Sequence, residues 1–312
     1  MKFYNIKKRM FSNGYTEIRF YQKAICVGNV HKKIKKMITK IDIPFESEKV
    51  ACREIKGDIV VDSKGFSVNP VSKYVLYKSM KRTRDKIFDY ANSCSWQWFC
   101  TFTFNNTVDR FDYDIVSKKM SDWLSNVRRL YCKDLKYLIV PEKHKNGAYH
   151  FHALFSNADD LCFVEAINNQ RYLRNGKKNK YFGQPLVRRG EQVYNISTFH
   201  FGYTDCTRVK DTKKVANYVL KYITKDMIKD IKNRKRYWVS RNLDKIEEHT
   251  YLIDYGNYDD TVTDLLVEFV KRNKSVHFHD FFLDHTDFQN KISYFKYDRN
   301  ICDVEFSSIL QI

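Results

Sequence analysis

The sequence predicts an α+β fold in which helices pack on an antiparallel sheet. Two observations favour this class: strand-like and helical segments interleave along the chain, and two of the strands are joined by a close turn. A sheet covered by helices is a stable way to bury both patterns. The predicted strands cover residues 96–104, 137–140, 149–155 and 195–203, and the predicted helices cover residues 72–90, 112–130 and 210–227.

These elements divide the chain into three predicted regions. Residues 75–245 contain the interleaved pattern and are predicted to form the central domain. Residues 1–74 are a basic N-terminal extension with short strand-like runs at 18–21 and 59–61. Residues 246–312 are less periodic, are rich in Asp, His and Phe, and are predicted to be a C-terminal extension.

The charge of the chain is the first indication of its partner. Lys and Arg number 56 against 37 Asp and Glu, which gives a net charge of +19. A surplus of this size favours a polyanion, either nucleic acid or an anionic membrane. The N terminus is basic, but no long apolar stretch follows it, so neither a secretory signal nor a membrane span is expected. Nucleic acid is therefore the favoured partner.

The eight cysteines do not predict a metal framework. No two of them have the CxxC spacing, and the closest pair is Cys94 and Cys100. A zinc ribbon is therefore not expected, and reduced thiols in a cytoplasm are the default expectation.

A pair of histidines is the first candidate for chemistry. Residues 148–155 read Ala-Tyr-His-Phe-His-Ala-Leu-Phe. Because side chains alternate along a strand, His150 and His152 are expected on one face, about 7 Å apart, while Phe151 points to the other. Two imidazoles placed in this way can bind one metal ion, although two surface histidines would give the same pattern.

A third ligand is needed, and Glu142 on the preceding strand is the candidate. If the loop is formed by Lys145, Asn146 and Gly147, Glu142 pairs with His150 and shares its face. If the loop is only Asn146-Gly147, Glu142 lies opposite Phe151 and faces away. We favour the longer loop, with His144 as the fallback ligand. Imidazole and carboxylate together suit Mn²⁺ or Mg²⁺ in a nuclease, although they would also permit Zn²⁺.

The predicted helix at 210–227 carries the candidate nucleophiles. Its apolar residues fall on one stripe, which leaves tyrosine and lysine side chains on the opposite face. A phenol is a weak nucleophile at neutral pH, but neighbouring cations favour the phenolate and neutralise a phosphate. The apolar stripe is formed by Ala216, Val219, Leu220, Ile223 and Met227, and the opposite face by Tyr218, Lys221, Tyr222 and Lys225.

Three motifs in this order resemble the HUH endonuclease superfamily, in its branch of rolling-circle replication initiators. They are the threonine-rich strand 99–104, the triplet His150-Phe151-His152 and the two-tyrosine segment 218–222. The resemblance covers about 75–245. It implies a central five-stranded antiparallel sheet with the metal on its face, the tyrosine helix beside it, and an upstream acidic residue as third ligand, which matches Glu142. The local wording is most similar to initiators of small bacterial plasmids and phages, which implies a bacterial cytoplasm.

The function implied by the resemblance is nicking of single-stranded origin DNA. Tyrosine attack would leave a 5′-phosphotyrosine link and a free 3′ hydroxyl for a host polymerase. Tyr218 is expected to attack first, because its spacing to Lys221 matches the single-tyrosine form of the motif. No GxxxxGK[ST] loop occurs in the sequence, so a helicase would have to come from the host.

Contacts with the DNA strand are assigned to two further groups of residues. Thr101 and Thr103 belong to the first motif, and Lys225 belongs to the tyrosine helix. A third group lies in the predicted helix at 72–90, where a basic face would either contact backbone phosphates or simply be solvated. This group consists of Lys81, Arg82 and Arg84.

Two other functions use the same residues. A mobilisation relaxase or a transposase would use the same chemistry on other DNA, although relaxase tyrosines usually precede the histidines. A basic protein that binds nucleic acid without catalysis would ignore metal. A second triplet at 277–279 is followed by Tyr294 and Tyr297, but their spacing differs and no threonine-rich strand precedes them, so the site is placed at 150–152. The lone His200 is expected to be structural.

Overall fold

The computed structural model of the chain describes residues 2–27, 60–61, 67–68, 70–172, 175–222, 231, 234–252, 277–285 and 288–299. It separates into two compact units. One unit is formed by residues 75–244, and the other combines residues 1–74 with residues 245–312.

The elements follow one another along the chain with strands predominating. The helices are α1 (Pro70–Asn92), α2 (Tyr113–Leu130) and α3 (Thr212–Val219), and 3₁₀ turns cover Asp159–Leu161 and Leu220–Tyr222. The strands are β1 (Lys2–Met10), β2 (Thr16–Val27), β3 (Val60–Val61), β4 (Ser67–Val68), β5 (Trp98–Phe104), β6 (Lys136–Lys143), β7 (Tyr149–Ser156), β8 (Phe163–Glu165), β9 (Val187–Arg188), β10 (Glu191–Gln192), β11 (Tyr194–Ile196), β12 (Gly202–Arg208), β13 (Trp238–Val239), β14 (Glu247–Tyr251), β15 (His277–His285) and β16 (Phe288–Tyr297).

The unit of residues 75–244 is an α+β structure built on an antiparallel sheet, as predicted. Its strand order is β13-β6-β7-β5-β12-β11-β8. The sheet therefore has seven strands, and the expectation of five is wrong. The edge strands β8 and β13 are only three and two residues long, too short to show a period of two in the sequence.

The predicted strand at 195–203 is also wrong in its extent. A turn at residues 197–201 separates β11 from β12, and these two strands pair antiparallel. The continuation of β12 to Arg208 pairs along the whole of β5, from Gly202 opposite Phe104 to Arg208 opposite Trp98. The hairpin thus supplies a strand that the sequence analysis had assigned to a loop.

The hydrophobic core lies on one face of this sheet and beneath α2. Asp112 caps α2 by accepting hydrogen bonds from the backbone N–H groups of Asp114 and Ile115, and the helix buries a stripe that includes Trp123. The ring of Trp123 lies 5.0 Å from that of Phe102 between centroids. Because Phe102, Phe151 and Phe155 fill this face, the alternate residues of β5 and β7 are left on the opposite face.

The other unit contains a five-stranded antiparallel sheet in the order β14-β1-β2-β16-β15, so both terminal regions contribute strands to one sheet. The second histidine triplet lies on β15, and Tyr294 and Tyr297 lie on the neighbouring strand β16 rather than on a helix. The hydroxyl of Tyr294 donates to Glu17 Oε1 at 2.6 Å, and Tyr297 is buried. Within the described residues, no helix is long and apolar enough to cross a membrane.

Candidate functional site

The β6–β7 hairpin sets the face on which the candidate ligands lie. Glu142 pairs with His150 in its register, and the backbone N–H of His144 donates to the carbonyl of Ala148 at 2.9 Å. Gly147 has a φ of +89°, a left-handed conformation that favours glycine. The loop is therefore residues 145–147, and the predicted three-residue loop is confirmed. Its length places Glu142 on the same face as both histidines.

These side chains meet in an imidazole–carboxylate cluster formed by Glu142, His144, His150 and His152. His152 Nε2 lies 2.6 Å from Glu142 Oε2, and His144 Nε2 lies 3.3 Å from the same oxygen. The rings of His144 and His150 stack with their centroids 3.8 Å apart. His144, the fallback ligand of the sequence analysis, is therefore part of the cluster.

The two threonines of β5 hold the histidine rings. Thr101 pairs with His152 and Thr103 with His150 in the β5–β7 register. The hydroxyl of Thr101 lies 3.2 Å from His152 Nδ1, and that of Thr103 lies 3.1 Å from His150 Nδ1. Sequence reasoning had assigned both residues to DNA contacts and missed this role. Bonds of this kind fix the orientation of an imidazole that binds a ligand through its other nitrogen.

The electrostatic environment keeps the imidazoles neutral and the carboxylate charged. Burial, together with neighbouring His144 and His152, lowers the pKa of His150 to about 4. Burial also lowers the pKa of His152, although the Glu142 carboxylate opposes this. Burial of Glu142 acts to raise its pKa, but the hydrogen bond from His152 and the nearby imidazoles outweigh that effect and lower it. Neutral imidazole and ionised carboxylate are the forms that bind divalent metals.

The cluster has the donor chemistry of a metal site but not a finished geometry. Among the side chains that the structure describes, no three His, Cys, Asp or Glu residues are placed so that they could hold an ion together. The hydrogen bond between His152 Nε2 and Glu142 Oε2 joins two of the atoms that would bind it. An ion would therefore have to replace this hydrogen bond.

The tyrosine segment packs beside this cluster. Asp211 caps α3 by accepting from the backbone N–H of Lys214, and Val219 is buried in the core. The ring of Tyr222 stacks on His152 with centroids 3.5 Å apart and planes 10° from parallel. Tyr218 meets Tyr222 edge-on at 5.4 Å. Both tyrosines thus lie away from the buried face of α3, as predicted.

The two phenols differ in their surroundings. Tyr218 is 38% exposed, and Lys221 Nζ lies 4.9 Å from the centroid of its ring. Burial raises the pKa of Tyr222, and the neighbouring hydroxyl of Tyr218 and the Glu142 carboxylate raise it further. Of the residues assigned to this segment, Lys225, Ile223 and Met227 lie outside the described residues.

A groove of about 750 Å³ opens beside Tyr218. Its lining holds six cationic and three carboxylate side chains, a surplus of three positive charges. Each carboxylate pairs with a cation of the same groove: Arg188 with Asp205, Lys210 with Glu191 and Lys214 with Asp211. The three cations that remain are Arg189, Arg208 and Lys221, and the aromatic wall is formed by Phe99 and Tyr218.

The β9–β10 hairpin supplies part of this groove, and sequence reasoning missed it. Arg189 and Gly190 form its tip with φ values of 54° and 80°. The run Arg188-Arg189-Gly190 in the sequence is the signal that could have found it, since a basic pair before a glycine is typical of a cationic turn. Cations beside aromatic faces suit a nucleic-acid strand with accessible bases.

The other assigned DNA contacts lie on α1. Lys81, Arg82 and Arg84 are all exposed, and only Arg82 lines a groove. The lone His200 is exposed in the turn between β11 and β12 and takes no part in the cluster.

Fold and site together define a class: an α+β domain in which paired histidines, a carboxylate and a tyrosine helix meet on the open face of an antiparallel sheet. Residues 97–227 match the family model of replication-associated proteins of the ORF2 type. The resemblance drawn from the three motifs is thereby confirmed, and the chain carries a replication-associated domain of the rolling-circle Rep type. No curated protein and no solved structure matches the chain.

Proposed function

We propose that the protein nicks single-stranded DNA at a replication origin by tyrosine attack. The observation that carries this proposal is the contact between the tyrosine segment and the cluster, with the ring of Tyr222 on His152 and Tyr218 beside it. A nucleophile, a carboxylate and neutral imidazoles thus share one exposed face. The match to a replication-associated family supports DNA as the substrate.

Tyr218 is proposed as the first nucleophile and Tyr222 as the second. Tyr218 is the more exposed of the two relative to the groove that would hold the strand, and Lys221 lies beside its ring. A neighbouring ammonium favours the phenolate and neutralises charge on the phosphate. Tyr222 packs flat on His152, and its raised pKa disfavours ionisation in this arrangement.

The reaction transfers one phosphodiester bond from sugar to protein. The phenolic oxygen forms a bond to phosphorus, the bond from phosphorus to the 3′ oxygen breaks, and the 3′ oxygen leaves as a hydroxyl after taking a proton. The link retains a phosphodiester, so the strand can be rejoined, and a second tyrosine allows another cleavage while the first link persists. A host polymerase would extend the 3′ hydroxyl, and a host helicase would unwind the duplex.

A divalent metal, Mn²⁺ or Mg²⁺, is proposed to be held by His150, His152 and Glu142, with His144 close enough to assist. The support is the donor set: two imidazoles of lowered pKa and one carboxylate at hydrogen-bond distance from His152. When bound, such an ion acts as a Lewis acid toward a phosphate oxygen. Thr101 and Thr103 would orient the two rings toward it.

The test is formation of a covalent adduct. The protein is incubated with single-stranded oligonucleotides tiled across its replicon and with Mn²⁺, and the products are denatured and separated by gel. We expect a DNA adduct in the wild type, a reduced yield in Tyr218→Phe and in Tyr222→Phe, and none in the double variant. Tyr203→Phe, at an exposed tyrosine of β12, is the matched control and should react normally.

The outcome separates the competing functions. An adduct that survives the double variant, or the absence of any adduct in the wild type, would refute tyrosine nicking. Binding that is sensitive to salt but indifferent to metal and to His150→Ala would indicate a non-catalytic binding protein. The DNA sequence recovered from the adduct would distinguish an origin from a mobilisation or transposition site.

A further inference from the structure

A second groove, of about 480 Å³, lies between α1 and the segment that precedes β13. It shares no lining residue with the groove beside Tyr218. Its lining is formed by Ser79, Arg82, Thr83, Lys86, Arg234, Lys235, Arg236 and Tyr237. The proposed chemistry at the imidazole–carboxylate cluster uses none of these residues.

The charge of this groove is one-sided. Five of the eight lining side chains are cationic and none is a carboxylate. Arg234 pairs with Asp114 outside the groove at 2.9 Å, whereas Arg82 and Lys86 have no ion pair within the part of the chain that the structure describes. Crowded cations repel one another and destabilise the fold unless an anion is bound. The arrangement therefore favours a polyanionic ligand.

The floor of the groove is fixed by hydrogen bonds. Arg236 Nη1 donates to Ser79 Oγ at 2.7 Å and to Thr83 Oγ1 at 3.0 Å. The hydroxyl of Tyr113 donates to the backbone carbonyl of Lys235, and Lys235 Nζ lies 4.9 Å from the ring centroid of Trp238. A cationic surface that is already ordered loses little conformational entropy when it binds phosphate.

The chemistry of the lining distinguishes paired from unpaired DNA. Unpaired bases bind where aromatic faces accept them, as Phe99 and Tyr218 can in the first groove. Tyr237 is the one aromatic residue in the second lining, and it is half-buried with its ring 5.7 Å from that of Tyr90. Guanidinium, ammonium and hydroxyl groups without open aromatic faces contact the backbone and leave the bases stacked.

We propose that this second groove binds the phosphate backbone of double-stranded DNA. The inference goes beyond nicking, because it requires neither the tyrosines nor a metal. Contacts confined to phosphates carry no direct sequence information, so binding at this groove is independent of base sequence and sensitive to salt.

The test removes charge from the groove and measures duplex binding. The variant R82Q/K86Q/K235Q keeps Arg236, which holds Ser79 and Thr83. The control K118Q/R129Q/K133Q removes the same charge from exposed positions on and just after α2. Fluorescence anisotropy is recorded in EDTA over a salt series, with a blunt labelled duplex and with a single strand of the same length.

We expect the groove variant to lose at least about tenfold in duplex affinity near physiological salt, and the slope of log K against log salt to fall by about 0.9 for each lost phosphate contact. The control should lose less than about threefold. Single-strand affinity and adduct yield should stay at the wild-type level. A control that loses as much duplex affinity as the groove variant would overturn the proposal, because the charge would then act diffusely.

Two further outcomes would also refute it: unchanged duplex affinity in the groove variant, or an equal loss of single-strand affinity. Thermal unfolding checks that the variant folds. If the triple variant fails to fold, R82Q/K86Q changes only two exposed side chains of α1 and is measured in the same way. Tyr218→Phe plus Tyr222→Phe should retain duplex binding, so a failure of the proposed nicking remains distinguishable.

Discussion

Replacing Thr101 and Thr103 by valine tests how the histidines are positioned. Valine keeps the shape of the side chain but removes the hydroxyls that lie 3.2 and 3.1 Å from the Nδ1 atoms of His152 and His150. If each hydroxyl orients a ring for metal binding, each single variant should weaken Mn²⁺ binding by about 0.5–1.5 kcal/mol, a factor of roughly two to ten. The double variant should lose about 10–100-fold, the range for outer-shell partners of metal-bound histidines.

Isothermal titration with Mn²⁺ in the absence of DNA measures this effect directly. Thr207→Val on β12 is the matched control, because it removes a hydroxyl from the same sheet opposite Phe99, and it should leave Mn²⁺ affinity unchanged. Anisotropy of a single-stranded oligonucleotide in EDTA supplies the second measurement. Wild-type Mn²⁺ affinity in both valine variants, with weakened DNA binding, would refute the positioning role and restore the DNA contacts assigned from the sequence.

Three further predictions concern the supports of the site. Gly147→Ala forces a side chain into a φ of +89°, so the free energy of unfolding in urea should fall by about 1–2 kcal/mol, and a normal value would contradict the need for glycine. Asp211→Ala removes the cap of α3 and should cost about 1 kcal/mol while lowering adduct yield, whereas Asp211→Asn should restore both. His150 has a folded pKa of about 4, below its unfolded value, so the unfolded state binds more protons between these two pKa values. In EDTA the free energy of unfolding should therefore fall as the pH falls from about 6.5 toward 4, and His150→Gln should flatten that slope; an unchanged slope would contradict it.

The local parts of the site could be predicted because their physics is local. Alternation along one strand placed His150 and His152 together, and a glycine turn fixed their pairing with Glu142. The spacing of α3 likewise separated the tyrosines from the buried Val219. Each of these features depends on residues within about ten positions of one another, where strand and helix periods are readable.

The remaining parts depend on pairings between distant segments. Thr103 meets His150 only because β5 pairs with β7, 47 residues apart, and no local pattern encodes that register. The same limit hid the hairpin at Arg189, whose charge acquires meaning only beside α3. The two short edge strands were missed because two or three residues cannot display a period.

The loop at residues 145–147 has a consequence for how this family of sequences can change. None of its residues belongs to the imidazole–carboxylate cluster, and the side chains of Lys145 and Asn146 are exposed, so their identity can vary. Their number cannot, because a one-residue deletion or insertion that no bulge absorbed would turn His150 and His152 toward the core and Phe151 outward. Insertions here should therefore survive in pairs, so that selection preserves the parity of the loop while its composition drifts.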